Sequence, residues 1–318
     1  MQIELNEIWH NKEKSWIKSL KKTYLEEKDV LVKVIYSMIS LGTERTIITQ
    51  NFSNELSEQM AVPYMKGSLM DAFTYGYSVV GEVISGPEFW IGKNVHLMHP
   101  HQDFIIVSED DLVEVPEGIN LKSATLASNL ETAVNAIWDS EVAIGDKVLV
   151  FGYGLIGGLI AALVNQIPGV NIEVAETNNH RKGLHLAHGL PERSMNDYDI
   201  IFNSTCDQKA LQEALSLSRH EGKIIELSWY GSRNTTLNLG SEFHYGRKQV
   251  ISSQVSQIPH KKLPVWNYTK RKQLVFDLIA EIDFSYLLDN EINFKDTPEF
   301  YKQLRRNEIK NLSTIICY

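Results

Sequence analysis

The segment Lys147-Val148-Leu149-Val150-Phe151-Gly152-Tyr153-Gly154-Leu155-Ile156-Gly157-Gly158 decides how this chain is read. A short apolar β run passes directly into Gly-x-Gly-x-x-Gly, and an apolar helical pattern over residues 159–164 follows at once. That order suits a dinucleotide phosphate site. Gly152 lets the chain turn sharply out of the strand, Gly154 lets backbone N–H groups approach a pyrophosphate, and Gly157 lets the helix sit close to the sheet. Leu155 and Ile156 complete the loop as expected cofactor contacts, at a helix N-terminus that supplies partial positive charge. A second apolar run, Asn171-Ile172-Glu173-Val174-Ala175, ends in Glu176, which lies 19 residues after Gly157. An acid at the tip of the second strand is placed for a ribose 2′-OH. The alternative reading is a glycine-rich strand–helix turn that binds nothing.

A carboxylate at position 176 repels a 2′-phosphate, so NAD(H) is favoured over NADP(H). Arg181 or His180 can offset that preference by binding a phosphate, which keeps NADP(H) open. The 318 residues allow two domains, each large enough for its own core. A net charge of −9 with no dominant basic block argues against nucleic acid as a partner. The clusters Lys261-Lys262 and Lys270-Arg271-Lys272 read as solvated helix faces. Cys206 and Cys317 are the only cysteines, which excludes a disulfide framework and a Cys₄ zinc lobe. The polar, alternating start is unlike a signal peptide, and no apolar run approaches the roughly 20 residues that span a bilayer. The expectation is a cytoplasmic protein that acts on a small molecule, with no membrane partner.

Residues 1–116 read as β-rich. Val30, Val32, Val34 and Tyr36 alternate with Leu31, Lys33 and Ile35 in the manner of a strand with one buried face. Shorter runs at residues 78–84, 94–98 and 104–107 are separated by turn signals such as Ser85-Gly86-Pro87. Helical spacing covers residues 121–138. From there strand and helix alternate: helices near 179–188 and 208–219, strands at 199–202, 223–227 and 249–253. This pattern implies an α/β fold with a parallel, doubly wound Rossmann sheet. After Pro259, helices at 274–282 and 298–304 and a strand at 312–317 are expected to return to the first section. The domains are then 1–121 with 259–318, and 122–258.

Taken in this order, the chain resembles the medium-chain dehydrogenase/reductase superfamily. Three signatures carry the resemblance: Ser40-Leu41-Gly42-Thr43-Glu44, Tyr75-Gly76-Tyr77-Ser78-Val79-Val80-Gly81-Glu82-Val83, and the Gly152–Gly157 fingerprint. The chain looks most similar to the short, zinc-lacking branch that includes bacteriochlorophyllide dehydrogenase, which shares an Ile-Ser-x-Gly-Thr-Glu element with residues 39–44. His99-Pro100-His101-Gln102 and Ser228-Trp229-Tyr230-Gly231 are also similar to short-branch proteins. The resemblance implies a discontinuous GroES-like catalytic domain beside the Rossmann domain, and assembly as a homodimer. Zinc-using members place Cys where Ser40 sits, a His-Glu pair where Tyr77-Ser78 sits, and a third Cys or Glu near Ser128. Serine and neutral tyrosine are poor substitutes for thiolate, imidazole or carboxylate, so no zinc is expected. An unrelated metal site from His96, His99 and His101 would need a turn at Pro100 to gather their rings.

Without zinc, the substrate oxygen must be stabilised by hydrogen-bond donors or a general acid. Tyr77 is the first candidate catalytic residue, its alternative being a packed tyrosine of the β domain. Thr43 and Glu44 are placed to orient a hydroxyl or the nicotinamide ribose, though Glu44 can instead form a buried pair with Arg45 or another base. His99 and His101 titrate near neutrality and can relay protons. Asn129, Glu131 and Thr132 lie on the helix after residue 121, where Glu131 reads as a helix charge rather than a base. Ser228, Trp229 and Tyr230 follow a strand of the parallel sheet, where such folds bind ligands, or form an aromatic plug. Arg247 is a candidate for an anionic substituent, with a surface arginine as the alternative.

These features point to a zinc-independent, NAD(P)-dependent oxidoreductase that interconverts a secondary alcohol and a ketone on a bulky substrate. Reduction of an activated C=C bond, as in enone and quinone reductases, is the alternative reaction. A non-catalytic dinucleotide-binding protein is the alternative class.

Overall fold

The computed structural model describes residues 2–23 and 28–318. In chain order its strands and helices are β1 (Gln2–His10), β2 (Ser15–Thr23), β3 (Asp29–Ile39), α1 (Leu41–Thr49), α2 (Asn54–Gln59), β4 (Phe73–Thr74), β5 (Val79–Ser85), β6 (Asn94–Leu97), β7 (Phe104–Ser108), β8 (Val113–Glu114), α3 (Leu121–Ala124) and α4 (Ala127–Ser140). There follow β9 (Lys147–Phe151), α5 (Leu155–Val164), β10 (Asn171–Ala175), α6 (Asn179–Ala187), β11 (Tyr198–Asn203), α7 (Gln208–Leu217), β12 (Ser218–Glu226), α8 (Glu242–Tyr245), β13 (Gln249–Ser252) and α9 (Tyr268–Glu281). The chain closes with β14 (Glu291–Asn293), α10 (Thr297–Arg305) and β15 (Thr314–Cys317).

Two compact units result. A β-rich unit comprises Met1–Ser128, Phe276–Ile309 and Ser313–Tyr318; a nucleotide unit comprises Asn129–Val275 and Lys310–Leu312. The sequence suggests junctions near residues 122 and 259, whereas the units divide inside α4 and α9.

In the β-rich unit, β3 is the spine. It pairs antiparallel with β5, β7 and β15, in a sheet ordered β14-β15-β3-β5-β6-β8. Val30, Val32 and Val34 pack with Val79, Val83, Val95, Leu97, Ile105 and Val107. The simple alternation expected for this strand does not hold to its end. Leu31 is buried too, and the register against β5 shifts between Val34 and Tyr36. An extra residue at a bulge changes which face each later side chain takes. Ser37 and Ile39 are therefore buried, while Tyr36 is only partly so. The β-rich reading of the first section names no helix there, whereas α1 and α2 follow β3. The single helix expected over residues 121–138 is broken between α3 and α4. There the Thr125 carbonyl accepts the Ser78 hydroxyl at 2.6 Å, so this carbonyl serves a tertiary partner.

The nucleotide unit holds a parallel sheet ordered β10-β9-β11-β12-β13. β10 lies on one side of β9 and β11 on the other. The connections after β9 and β11 therefore diverge at their carboxyl ends, the place where open α/β sheets bind ligands. Leu149, Ile201 and Ile224 from the sheet pack with Leu211, Ala214 and Leu215 of α7. Residues 270–272 correct a reading from sequence. Lys270 is exposed, but Arg271 and Lys272 are buried and both pair with Glu131, at 3.2 and 2.5 Å. The turn of α9 brings them inward, and the buried carboxylate supplies the opposite charge that such a position requires. No helix among the described residues is long and apolar enough to cross a membrane.

Leu149 is fully buried at the centre of the sheet. Leu149→Ala is expected to destabilise the chain by about 2–5 kcal/mol, read from urea unfolding.

Candidate functional site: a nucleotide loop and a hydroxyl cluster

The glycine loop begins where β9 ends. Gly152 has φ +88°, a left-handed conformation that glycine adopts without strain, and a Cβ there would stand 3.0 Å from the Thr205 methyl. Gly157 is tighter still. Its hypothetical Cβ would lie 2.0 Å from the Gly152 carbonyl oxygen, so only glycine lets α5 approach β9 this closely. Gly154 is the N-cap of α5 and brings no side chain to cap it. The leading N–H groups of that helix, those of Leu155 and Ile156 among them, receive no side-chain cap, the arrangement that suits a phosphate.

Glu176 stands at the end of β10 against this loop. One carboxylate oxygen accepts the Tyr153 N–H at 2.8 Å and the other accepts the Asn178 N–H at 2.7 Å. Each oxygen retains acceptor capacity for a ribose hydroxyl. Asn178 caps α6 by accepting from His180 and Arg181 backbone N–H groups. The Arg181 guanidinium donates to the carbonyls of Lys310 and Asn311 at 3.1 and 3.0 Å, and one of its nitrogens comes within 3.8 Å of a Cβ built on Gly154. Glu176 and Arg181 thus converge on one loop.

The ends of β11 and β12 carry a second polar group, in which Ser228, Trp229 and Tyr230 are joined by Asn203 and Glu226, two residues not evident from sequence. Asn203, fully buried, donates from Nδ2 to Glu226 at 2.7 Å; Glu226 also accepts the Ser228 N–H at 2.8 Å and the Tyr230 hydroxyl at 3.4 Å. Burial raises the Glu226 carboxyl pKa, and burial followed by the nearby Glu226 charge raises that of the Tyr230 phenol. Ser228 Oγ accepts the Cys206 N–H at 2.8 Å, and the Trp229 carbonyl accepts the Cys206 thiol at 3.3 Å. These residues fix the loops after β11 and β12. Their signal in the sequence was a single polar residue closing an apolar strand, as in Ile200-Ile201-Phe202-Asn203 and Ile224-Ile225-Glu226. Arg247, the candidate for an anionic substituent, instead pairs with Glu221 at 2.8 Å on the surface.

In the β-rich unit the polar groups gather around Tyr77. Its phenol pKa is pushed up to about 12. Burial is the main cause; the neighbouring Ser40 and Thr43 hydroxyls oppose it, and the nearby Glu44 charge adds to it. Glu44 is buried and does not pair with Arg45; its partners are His101, at 3.3 Å, and the Tyr301 hydroxyl. His101 also meets Ser37 Oγ at 2.8 Å. His99 takes no part in this group. Its Nδ1–H donates to the Pro100 carbonyl at 2.8 Å, and its ring stacks on Tyr64.

Zinc does not fit the donors found at the positions compared above, where serine and tyrosine hydroxyls stand in place of thiolate, imidazole or carboxylate. Ser78 Oγ donates to the Thr125 carbonyl and Ser128 Oγ donates to the Tyr77 carbonyl. Both oxygens also contact His96 Nε2, at 3.1 and 3.4 Å. Among the described residues no group of His, Cys, Asp and Glu is placed to hold a metal ion.

A glycine loop at the switch point of a parallel sheet, with a β-rich unit bearing protic side chains, defines a nucleotide-dependent dehydrogenase architecture. Comparison with known proteins gives the same class. No family model matches the chain. It is 22% identical to D-guloside 3-dehydrogenase of Escherichia coli (strain K12) over 312 residues, covering 86% of this chain and 88% of that protein. Its fold matches L-idonate 5-dehydrogenase of Escherichia coli with a TM-score of 0.78 at 14% identity, over 100% of this chain and 99% of the other. It likewise matches a zinc-binding dehydrogenase candidate of Sinorhizobium meliloti bound to NADP, with a TM-score of 0.77 at 12% identity, over 99% and 100% of the two chains. The chain has the fold of the medium-chain dehydrogenases/reductases and reads as an NAD(P)-dependent oxidoreductase.

Gly157→Ala forces a Cβ against a backbone carbonyl. The expected result is at least a roughly tenfold weaker uptake of NADH by titration calorimetry, because the loop can no longer close on the pyrophosphate.

Proposed function

We propose that this enzyme interconverts a secondary alcohol and a ketone on a polyhydroxylated substrate of the glycoside or aldonate class, without zinc, using NAD(H) in preference to NADP(H). The observation that carries the zinc-free chemistry is the donor set itself: Ser40, Tyr77, Ser78 and Ser128 offer hydroxyls only, and those of Ser78 and Ser128 are bonded to main-chain carbonyls. The substrate class draws support from relatives named for guloside and idonate oxidation. Similarity of residues 39–44 to the zinc-lacking branch supports a bulky substrate.

When bound, the nicotinamide nucleotide accepts or supplies the hydride. The remaining work falls to side chains. In the reducing direction Tyr77 donates its phenolic proton to the ketone oxygen as that oxygen becomes an alkoxide. An alkoxide is far more basic than a phenolate, so the transfer is favourable even from a phenol near 12. The neighbouring Ser40 and Thr43 hydroxyls favour the phenolate left behind. Glu176 receives the adenosine ribose and disfavours a 2′-phosphate, while Arg181 beside the loop is the group through which NADP(H) gains entry.

Oxidation of methyl D-guloside, L-idonate and 2,3-butanediol with NAD⁺ and NADP⁺, followed at the reduced-nicotinamide absorbance, tests the reading. Turnover that survives exhaustive treatment with 1,10-phenanthroline is expected. A stoichiometric zinc whose removal abolishes turnover overturns the zinc-free mechanism, and turnover confined to enones replaces alcohol oxidation with C=C reduction. Tyr77→Phe should slow ketone reduction at least roughly tenfold. The pH profile has a definite sign. Because the Tyr77 phenol is raised from its ordinary value of 10.0 to about 12, it stays protonated through pH 10, and reduction should lose this acid only as pH nears 12. An alkaline limb near pH 10 that vanishes in Tyr77→Phe would contradict the raised phenol.

A further inference from the structure

Val62-Pro63-Tyr64-Met65 closes a tight turn, the Met65 N–H donating to the Val62 carbonyl at 3.1 Å. Tyr64 takes φ +62° in the third position, behind a proline in the second. Such a turn calls for glycine or asparagine there, because a bulky side chain is strained in the left-handed region. An aromatic residue held in that conformation persists only where its surroundings fix it, as at ligand clamps. Here two neighbours fix it. The Tyr64 hydroxyl donates to Asp111, and the ring stacks on His99, with centroids 5.1 Å apart and planes 28° from parallel. His99 is buried and its Nδ1–H is committed to the Pro100 carbonyl, so the imidazole is a fixed backing. Tyr64 itself is 40% exposed.

The stack stands at the end of the sheet where Tyr77 lies. β5 and β6 are antiparallel with Val79 opposite Leu97, so Tyr77, two residues before β5, and His99, two residues after β6, leave the sheet at the same end. The His101 N–H donates to the Tyr75 carbonyl at 3.0 Å, which keeps the two segments side by side beyond the strands. Charge along the segment that tethers the phenol is of one sign: Glu109, Asp110 and Asp111 follow one another. Glu109 accepts the Trp90 Nε1–H at 3.0 Å, and Asp110 has Lys28 at 4.0 Å, an exposed pair of little strength. Asp111 is exposed, and its carboxylate keeps acceptor capacity beyond the bond to Tyr64.

We propose that Tyr64, backed by His99 and tethered to Asp111, is the face on which the sugar ring of a neutral pyranoside stacks, with Asp111 accepting one of its hydroxyls. A pyranose presents a face of C–H bonds, slightly positive at hydrogen, which matches the negative face of a phenol ring. An open-chain aldonate offers no such face and brings a carboxylate toward Glu109, Asp110 and Asp111, where like charges repel. The assignment narrows the substrate class put forward above and rests on it. A merely structural Tyr64, pinning its turn to the loop after β6, would affect all substrates alike.

The test compares initial rates of the full-length chain on methyl D-guloside, L-idonate and 2,3-butanediol. Tyr64→Asn removes the ring but keeps a residue that tolerates the left-handed turn position, whereas Tyr64→Phe keeps the ring and loses only the bond to Asp111. Tyr64→Asn is expected to raise KM for methyl D-guloside roughly tenfold with kcat within about threefold, and so to cut its kcat/KM relative to 2,3-butanediol. Tyr64→Phe is expected to hold that ratio within about threefold. A ratio that Tyr64→Asn leaves in place overturns the proposal while alcohol oxidation stands. A wild-type preference for L-idonate over methyl D-guloside overturns the neutral-sugar assignment. Binding is read without turnover from the ¹H spectrum of methyl D-guloside titrated with the NADH-loaded protein. Its ring C–H protons are expected to shift upfield with wild type and Tyr64→Phe, and not with Tyr64→Asn. If no alcohol is oxidised, the functional reading fails, and this shift alone decides the stacking face; its absence in wild type overturns it. Should Tyr64→Asn fail to fold, Tyr64→Gly takes its place in both measurements.

Discussion

The 2.0 Å gap between the Gly152 carbonyl oxygen and the place where a side chain at residue 157 would begin is the tightest constraint in the nucleotide unit. It brings α5 against β9 and leaves a helix start without a side-chain cap at the point where β9 and β11 part. Glu176 and Arg181 then find places around that loop because β10 and α6 follow β9 directly. Recognition of a nucleotide by this unit is therefore mostly a property of backbone geometry. The side chains adjust which nucleotide is preferred.

The β-rich unit works by the opposite means. Its loops carry the proposed proton donor, and they are held by buried polar side chains rather than by close backbone packing. Glu44 joins α1 to α10 and to the loop after β6; Ser78 and Ser128 join the start of β5 to the start of α4 through His96. Each of these groups is costly to bury alone and becomes tolerable only when its partners are all present. Orientation in this unit is thus set by satisfaction of hydrogen bonds.

Much of this was legible in the sequence because it depends on local patterns. The strand–glycine–helix order, the acid after the second strand, and the alternation of strand and helix through residues 147–252 are short-range signals, and the parallel sheet follows from them. What escaped was set by long-range partners. Arg271 and Lys272 look like a solvated face until Glu131, 140 residues away from Arg271, is seen to neutralise them. His101 was named as a proton relay, but its partners Ser37 and Glu44 lie 64 and 57 residues distant, and no spacing rule connects them. The Asn203–Glu226 pair was missed for the same reason. Helix α1 was missed because its sequence is rich in poor helix formers, Gly42, Thr43, Thr46 and Thr49.

The hydroxyl protons of Ser78 and Ser128 go to main-chain carbonyls, and that detail bears on redesign. Introducing one thiolate or carboxylate into this cluster would leave hydroxyls at the other positions, where a metal ion asks for anionic or imidazole ligands. Several coordinated replacements would be required, and those at Ser78 and Ser128 would each break a bond that now ties one segment to the main chain of another.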